Sequence, residues 1–342
     1  MEHFAGIDVS LEESSVCLVD ATGGIVREVK VETTPEALAD FLRGSGVRFG
    51  RIGIEAGPLA PWLVQGLAAA GLPVICIETR RMKVFASASP VKTDRKDAQA
   101  IAQAMRMGFF RAVHMKTRAS LEARLLLTNR SLVLRQRLQI QNTIRGTLKG
   151  FGVKFGTAST GRFVGKVRAL IAGKLVLQAA IEPLLGAWQG LRLAFLQLDR
   201  LVRRAAAADA VCRLLMTAPG VGSVVALAFR TGIDDVHRFA KSRLVGAHLG
   251  LTPRKYASGR IDRDGRITKC GDAMVRGYLF EAANSILSRL KKSCALRDWA
   301  LDLAKRTSPK HAKVALARRL AIILHRMWLT GETFRWSPAT AI

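Results

Sequence analysis

Apolar and polar positions first fall into three short runs. Residues 4–9, 14–20 and 25–31 carry the alternating or unbroken apolar pattern of half-buried and buried strands, and Thr22-Gly-Gly24 between the last two reads as a hairpin turn. Thr34-Pro35-Glu36 has the form of a helix start, a capping hydroxyl followed by proline at the first helical position, and this helix stops near Gly44. Arg51 to Glu55 reads as a strand, Pro61 to Ala70 as a helix closed by Gly71, and Leu72 to Ile77 as a further strand. Meander strands followed by crossover units predict a mixed sheet with helices on its faces. A helix rich in alanine and glutamine then runs from Lys96 to Met105, with Asp94 and Asp97 three apart at its start and so on one face.

From Lys116 the period changes. Leu121, Leu125, Thr128, Leu132, Arg135 and Leu138 approximate a three-four spacing up to about Lys149, with Arg118, Arg124, Arg130 and Arg137 between them. This predicts a long amphipathic helix, one arm of a hairpin or of an intermolecular coil. The Gly-rich stretch Phe151 to Thr160 forms its tip, and residues 163–209 return as helices broken around Glu182-Pro183. Such a hairpin serves to hold a dimer, to bind nucleic acid, or only to pack on itself.

Leu214 to Ala228 contains Pro219-Gly-Val-Gly222, similar to a helix-hairpin-helix turn whose backbone N–H groups hold a phosphate without reading sequence; the plainer alternative is a tight turn that only packs. After it come a short helix ending at Pro253, a polar loop from Arg254 to Arg260, and a hairpin from Ile261 to Thr268 with its turn at Asp264-Gly265. A helix opens at Lys269 and runs through Leu287, and Arg289 to Trp328 is helical and basic. Nothing in residues 331–342 reads as ordered. The expected division is 1–112, 113–210, 211–330 and a tail, 331–342.

Charge divides the chain in the same place. The formal net charge is +28, yet residues 1–100 hold 11 Lys/Arg against 13 Asp/Glu, so the positive surface belongs to residues 101–342. Nucleic acid is the polyanion such a surface fits first, with an anionic membrane surface as the competing partner. Apolar residues at 49% are enough for packed cores and exclude a disordered basic tail. Five cysteines, Cys17, Cys76, Cys212, Cys270 and Cys294, lack metal-site or disulfide spacing and point to a reducing compartment, the cytoplasm. Glu2 and Asp8 precede any apolar run, so no signal peptide is expected, nor any membrane span.

Within the acidic part, Asp8 stands in the apolar opening Ala5-Gly-Ile-Asp-Val-Ser10, where an unpaired carboxylate costs on the order of a few kcal/mol to desolvate. Glu55 repeats the pattern in Arg51-Ile-Gly-Ile-Glu-Ala-Gly57, and Asp94 and Asp97 add two acids before a helix. Four convergent carboxylates suit divalent metal. Two Mg²⁺ ions about 4 Å apart activate an attacking oxygen and neutralise a leaving one in phosphoryl displacement. Lys92, Arg95 and Lys96 stand beside them to meet phosphate.

These features resemble a known family. Strand order and acid placement resemble the ribonuclease-H-like superfamily, in particular RuvC-like resolvases. Gly6-Ile-Asp-Val-Ser10, Ile54-Glu-Ala-Gly57, Lys92-Thr-Asp-Arg-Lys-Asp-Ala98, Ala218-Pro-Gly-Val-Gly222, Leu249-Gly-Leu-Thr-Pro253, Ser258-Gly259 and Ile267-Thr-Lys-Cys-Gly-Asp272 together resemble the DEDD transposases of insertion sequences, a group that includes the Piv-type DNA invertases. The resemblance implies a RuvC-like mixed sheet with flanking helices, a coiled-coil segment and a mainly helical carboxy-terminal domain. It implies Mg²⁺ on Asp8, Glu55, Asp94 and Asp97, and a covalent link between DNA and Ser258. It further implies dimers that pair into tetramers and, in some members, guidance by a structured RNA.

By itself, a serine in an Ala-Ser-Gly loop is most simply a turn residue. It attacks phosphate only when its proton is removed and the phosphate charge is screened. Arg254, Lys255, Arg260 and Arg263 flank it in sequence as candidates to hold the phosphate, Lys269 lies further along, and in the helix-hairpin-helix reading Gly220 and Gly222 offer backbone N–H groups to the same nucleic acid. No histidine lies in the loop, so the base or activating ion is expected from the acid cluster. The expected function is a DNA recombinase working through a phosphoserine. The alternatives are a Mg²⁺-dependent junction-resolving nuclease that uses water, an actin-like or sugar-kinase-like ATPase, whose fold opens in the same way, and a nucleic-acid-binding protein without catalysis.

Overall fold

The computed structural model describes residues 2–78 and 93–336, so Lys92 and residues 337–342 lie outside the described residues. The chain divides into two compact units, Met1–Lys116 and Thr117–Ile342.

In the first unit β1 (His3–Asp8), β2 (Glu13–Val19) and β3 (Ile25–Glu32) form an antiparallel meander, and β4 (Phe49–Glu55) and β5 (Val74–Ile77) join parallel to β1, giving the order β3-β2-β1-β4-β5. The β2–β3 turn is held by Asp20, whose Oδ1 accepts from the backbone N–H groups of Thr22, Gly23 and Gly24 at 2.8–2.9 Å. Thr34 caps α1 (Pro35–Gly44) as its sequence promises, accepting from the Ala37 N–H. α1 and α2 (Ala60–Ala69) cover one sheet face over Ala5, Ile7, Val16, Leu18, Ile52 and Ile54. The other face carries α3 (Asp94–Met107), packed through Ala98, Ile101, Ala102 and Met105. This mixed sheet with helices on both faces is the arrangement that the strand pattern predicts and that the resemblance to ribonuclease-H-like proteins implies.

Two glycines let α3 lie close. A Cβ on Gly6 would collide with the backbone of Ala98 and Ala102, and one on Gly53 would stand 2.7 Å from Ile101 Cγ2. The strand positions beneath the helix are therefore emptied of side chain, and the sheet meets the helix backbone directly.

The second unit opens with α4 (Arg118–Gly150), a 33-residue helix, which pairs with the 34-residue α6 (Leu175–Ala208). Arg130 bonds Asp199 and lies 4.7 Å from the Phe195 ring, while Arg137 lies 4.9 Å from Phe195 and 6.0 Å from Trp188, so the helices run antiparallel. Two apolar cores close the hairpin at its ends. At the tip, Ile144, Leu148, Phe155, Leu185 and Trp188 pack with α5 (Phe163–Ile171). At the base, Leu127, Val202 and Ala206 join α7 (Ala210–Leu215), α8 (Ser223–Ile233), α9 (Arg243–His248), α10 (Ala273–Arg289), α11 (Ala295–Arg306) and α12 (Pro309–Thr330). The hairpin thus shares a core with the carboxy-terminal helices, and the boundary anticipated at 210 falls inside this unit.

Several expectations change in detail. Pro183 does not break the returning helix but sits inside α6, and the break falls at Gly173, whose φ of 73° ends the preceding segment. Leu125, Leu132 and Leu138, expected to face a partner helix, are each exposed, while Leu127, Ile144 and Leu148 face the hairpin. Residues 331–336 are ordered: Phe334 and Trp336 pack on the base core, and the Phe334 N–H donates to the Thr217 hydroxyl at 3.0 Å. The hairpin turn expected at Asp264-Gly265 lies instead at Gly259-Arg260, between β6 (Pro253–Ser258) and β7 (Ile261–Ile267). Gly259 takes the left-handed turn conformation at φ 54°, whereas Gly265 stays in the strand opposite a tyrosine ring.

Candidate active site

Ile7 pairs with Ile54 across the parallel β1–β4 ladder, and Asp8 and Glu55 are the next residue on each strand. Side chains alternate along a strand, so both acids leave the sheet on the face that Gly6 and Gly53 present to α3. On the other side Asp8 pairs with Ser15 and Ser15 with Lys30. One row across the sheet therefore reads Lys30, Ser15, Asp8, Glu55, with neighbouring strands about 4.8 Å apart. Both acids are half-buried.

α3 brings the other two acids to the same face. Thr93 caps it, accepting from the Lys96 N–H, and Asp94 and Asp97 occupy its first turn, where the helix dipole favours negative charge. Ala98, the residue after Asp97, lies against Gly6, two residues short of Asp8. Asp94 is exposed and lines an open groove of about 420 Å³ with Ser15, Glu28, Lys30, Thr93 and Arg95; Asp97 is half-buried.

Among the described residues no three His, Cys, Asp or Glu stand close enough to enclose a cation. Mg²⁺ does not require such a cage. It keeps several waters and takes one or two carboxylates together with substrate phosphate, and an open row of hard oxygen donors suits that habit. Thiols do not compete: the Cys17 thiol, one row further in, is pushed up to about 12, first by burial and then by Glu28, against the opposing pull of Arg95. Cys76 is raised to about 11 by burial, and Glu55 adds to the rise.

Glu28, which sequence reasoning passed over, is held by two partners from α3. Arg95 Nε donates to it at 2.6 Å and Gln99 bonds its other oxygen, and the Arg95 bond leads in holding its carboxyl below the usual carboxylate range. Arg95, expected to meet phosphate, is engaged there; Lys96 is exposed.

In the second unit Ser258 ends β6 beside the turn, and β6 is exposed along its whole length, as are Arg254, Lys255, Arg260, Arg263 and Lys269. The base of this ribbon is tightly fixed. Gly250 and Gly271, at φ 66° and 73°, approach so closely that a Cβ on either would collide with the backbone of the other segment. Arg276 Nη1 donates to the carbonyls of Leu249 and Cys270, each at 3.0 Å. Asp272 caps α10 through the N–H groups of Met274 and Val275 and pairs with Arg124 of α4 at 2.7 Å. Arg124 lies 148 residues from Asp272, and no local signal joins them.

The Pro219-Gly-Val-Gly222 turn packs on one side. A Cβ on Gly220 would stand 2.6 Å from the Ala282 carbonyl of α10, which accounts for the glycine by close approach. Gly220 and Gly222 remain exposed on the other side, and α8 begins with no side-chain cap.

Two family models match this chain, the DEDD transposase model of the IS110 type over residues 5–152 and "Transposase IS116/IS110/IS902 family" over residues 212–299, and they define a transposase-type enzyme acting on DNA. The chain belongs to this family of insertion-sequence transposases. It is 27% identical, over 96% of its own length and 90% of the relative's, to a Coxiella burnetii protein named transposase for insertion sequence element IS1111A. It is 25% identical, over 83% of its own length and 85% of the relative's, to the transposase for insertion sequence element IS1328 of Yersinia enterocolitica. A solved structure of Thermus thermophilus RuvC in complex with Holliday junction substrate matches 33% of this chain and 100% of that one, at 18% identity and a TM-score of 0.25. Among the described residues no helix is long and apolar enough to cross a membrane.

Proposed function

We propose that this transposase cuts and rejoins DNA through a phosphoserine formed at Ser258, with Mg²⁺ held by Asp8, Glu55, Asp94 and Asp97. The observation that most supports the metal part is the side-by-side placement of Asp8 and Glu55 at the ends of adjacent parallel strands, under the acidic first turn of α3. Bound there, Mg²⁺ would supply charge screening and acidify an attacking hydroxyl.

The serine part proceeds by exchange. A bond forms from Ser258 Oγ to phosphorus as the bond from phosphorus to the departing sugar oxygen breaks. The serine proton passes to a base, which the ribbon does not itself carry on the serine's face, and the departing oxygen leaves protonated. Attack by a hydroxyl of the new partner strand reverses these changes and restores the serine. One phosphodiester is traded for one ester at each stage, so no ATP is consumed.

In this reading residues 1–112 are the metal-binding domain, 113–210 the dimerising helical segment and 211–330 the serine-bearing domain. Leu125 and Leu132, 58% and 44% exposed and two turns apart on one stripe of α4, form the surface a second copy covers. Dimers pair into tetramers on DNA, and a structured guide RNA shares the basic surface; sequencing the nucleic acid that co-purifies with the protein tests the RNA.

The test of the serine is a denaturing gel with end-labelled DNA. Label is expected to stay on wild-type protein and to be lost with Ser258→Ala. Adduct at wild-type level on Ser258→Ala overturns the nucleophile, and cleavage by the wild type with no adduct assigns the attack to water.

A further inference from the structure

The β6–β7 ribbon pairs Tyr256 with Arg263, Ala257 with Asp262 and Ser258 with Ile261. Paired residues share a face and alternate along each strand, so Arg254, Tyr256, Ser258, Ile261 and Arg263 lie together and Lys255, Ala257, Asp262 and Asp264 lie opposite. Both aspartates of the ribbon are thus turned away from the serine, and one is paired with Lys255 at 2.8 Å. The serine's own face holds two arginines, one aromatic ring and one aliphatic side chain, with no acid.

The ring is held in position. Gly265 leaves it room, since a Cβ there would stand 2.6 Å from Tyr256 Cε2, and the Arg263 guanidinium lies 5.7 Å from the ring centroid. Even so, Tyr256 is 48% exposed and Ile261 61%. Oriented rings beside cations are the elements with which proteins hold unpaired bases.

We propose that this face binds single-stranded or locally unpaired DNA, with Tyr256 stacking on a base, Ile261 against the neighbouring sugar, and Arg254 and Arg263 on the phosphates. The site rests on Ser258 being the nucleophile. Two residues along a strand span about 6.6 Å, and a stacked strand advances about 3.4 Å per nucleotide, so the stacked base stands about two nucleotides from the phosphate under attack. A base inside a duplex offers no open face to the ring, which is why the ligand is unpaired.

The test uses the full-length protein and a mixed-sequence single-stranded DNA carrying 2-aminopurine, whose fluorescence is quenched by stacking. Tyr256→Ala is expected to lose the quench, to weaken binding about tenfold, and to raise the DNA concentration for half-maximal adduct more than it lowers the plateau rate. Tyr256→Phe should keep all three, and Asp264→Asn, on the opposite face, should change none. Thermal unfolding of each variant checks that the ribbon still folds. Wild-type quench and adduct in Tyr256→Ala, with Ser258→Ala forming no adduct, overturns the stacking face while leaving the nucleophile in place. Should wild-type protein form no adduct, the nucleophile fails and the quench alone decides: lost in Tyr256→Ala it upholds the base site, unchanged it overturns it.

Discussion

Asp8 and Glu55 stand one register step beyond the Ile7–Ile54 pair, on neighbouring parallel strands and on the sheet face that carries α3. Two carboxylates side by side on neighbouring strands, whose backbones lie about 4.8 Å apart, repel each other, and a cation relieves that repulsion. Metal should therefore bind the folded protein in preference to the unfolded chain. The melting temperature is expected to be higher in excess Mg²⁺ than in EDTA, and the difference should vanish in Asp8→Asn/Glu55→Gln. An equal shift in that variant would place the metal elsewhere.

The same face depends on glycine. Gly6→Ala drives a methyl into the backbone of Ala98 and Ala102, and the first turn of α3 cannot stay where it is. Overpacking of this kind costs about 1–3 kcal/mol, read as a lower midpoint in urea unfolding of the full chain. Adding a methyl at Gly146, where nothing lies within 4 Å, is the control and should cost no stability.

His325 ties stability to pH in the second unit. Its ring is buried, Nε2 donates to the Val236 carbonyl at 3.0 Å, and Nδ1 accepts from the Ser242 hydroxyl at 3.0 Å. Burial is the largest cause lowering its pKa, with His237 adding to it and the Val236 bond opposing. A neutral ring in the folded state means that stability is fully present above the ordinary histidine value of about 6.5 and is lost as pH falls from there through the lowered folded value. The melting temperature should drop from about pH 7 to about pH 5, and His325→Gln should flatten that drop. An unchanged slope in the variant would assign the pH dependence to other groups.

Much of the first unit was readable because its signals are local. Period-two runs, the Thr34-Pro35 cap and the turn at Thr22–Gly24 each lie within a few residues, and the elements fall where they predict. Asp8 and Glu55 stood out because a carboxylate in an apolar strand needs an explanation. Glu28 did not, since its partners Arg95 and Gln99 lie 67 and 71 residues away. The turn of the serine ribbon was misplaced by two competing glycines: Asp264-Gly265 has the better turn sequence, but Gly265 is needed as space for the Tyr256 ring and Gly259 makes the turn. On α4 the leucine spacing predicted a helix correctly. It did not say which stripe faces the chain's own partner helix, because both stripes carry leucines and only the pairing with α6 selects one.

The acid row is expected to act in the chemistry and not in holding DNA. The most direct measurement compares Asp8→Asn with wild type for DNA affinity, by fluorescence anisotropy, and for covalent DNA adduct on a denaturing gel. Affinity within about threefold of wild type together with an adduct rate at least about 100-fold lower is the expected pair, a loss of about 2.7 kcal/mol of transition-state stabilisation. Adduct formed by Asp8→Asn at the wild-type rate would contradict a catalytic role for the acids.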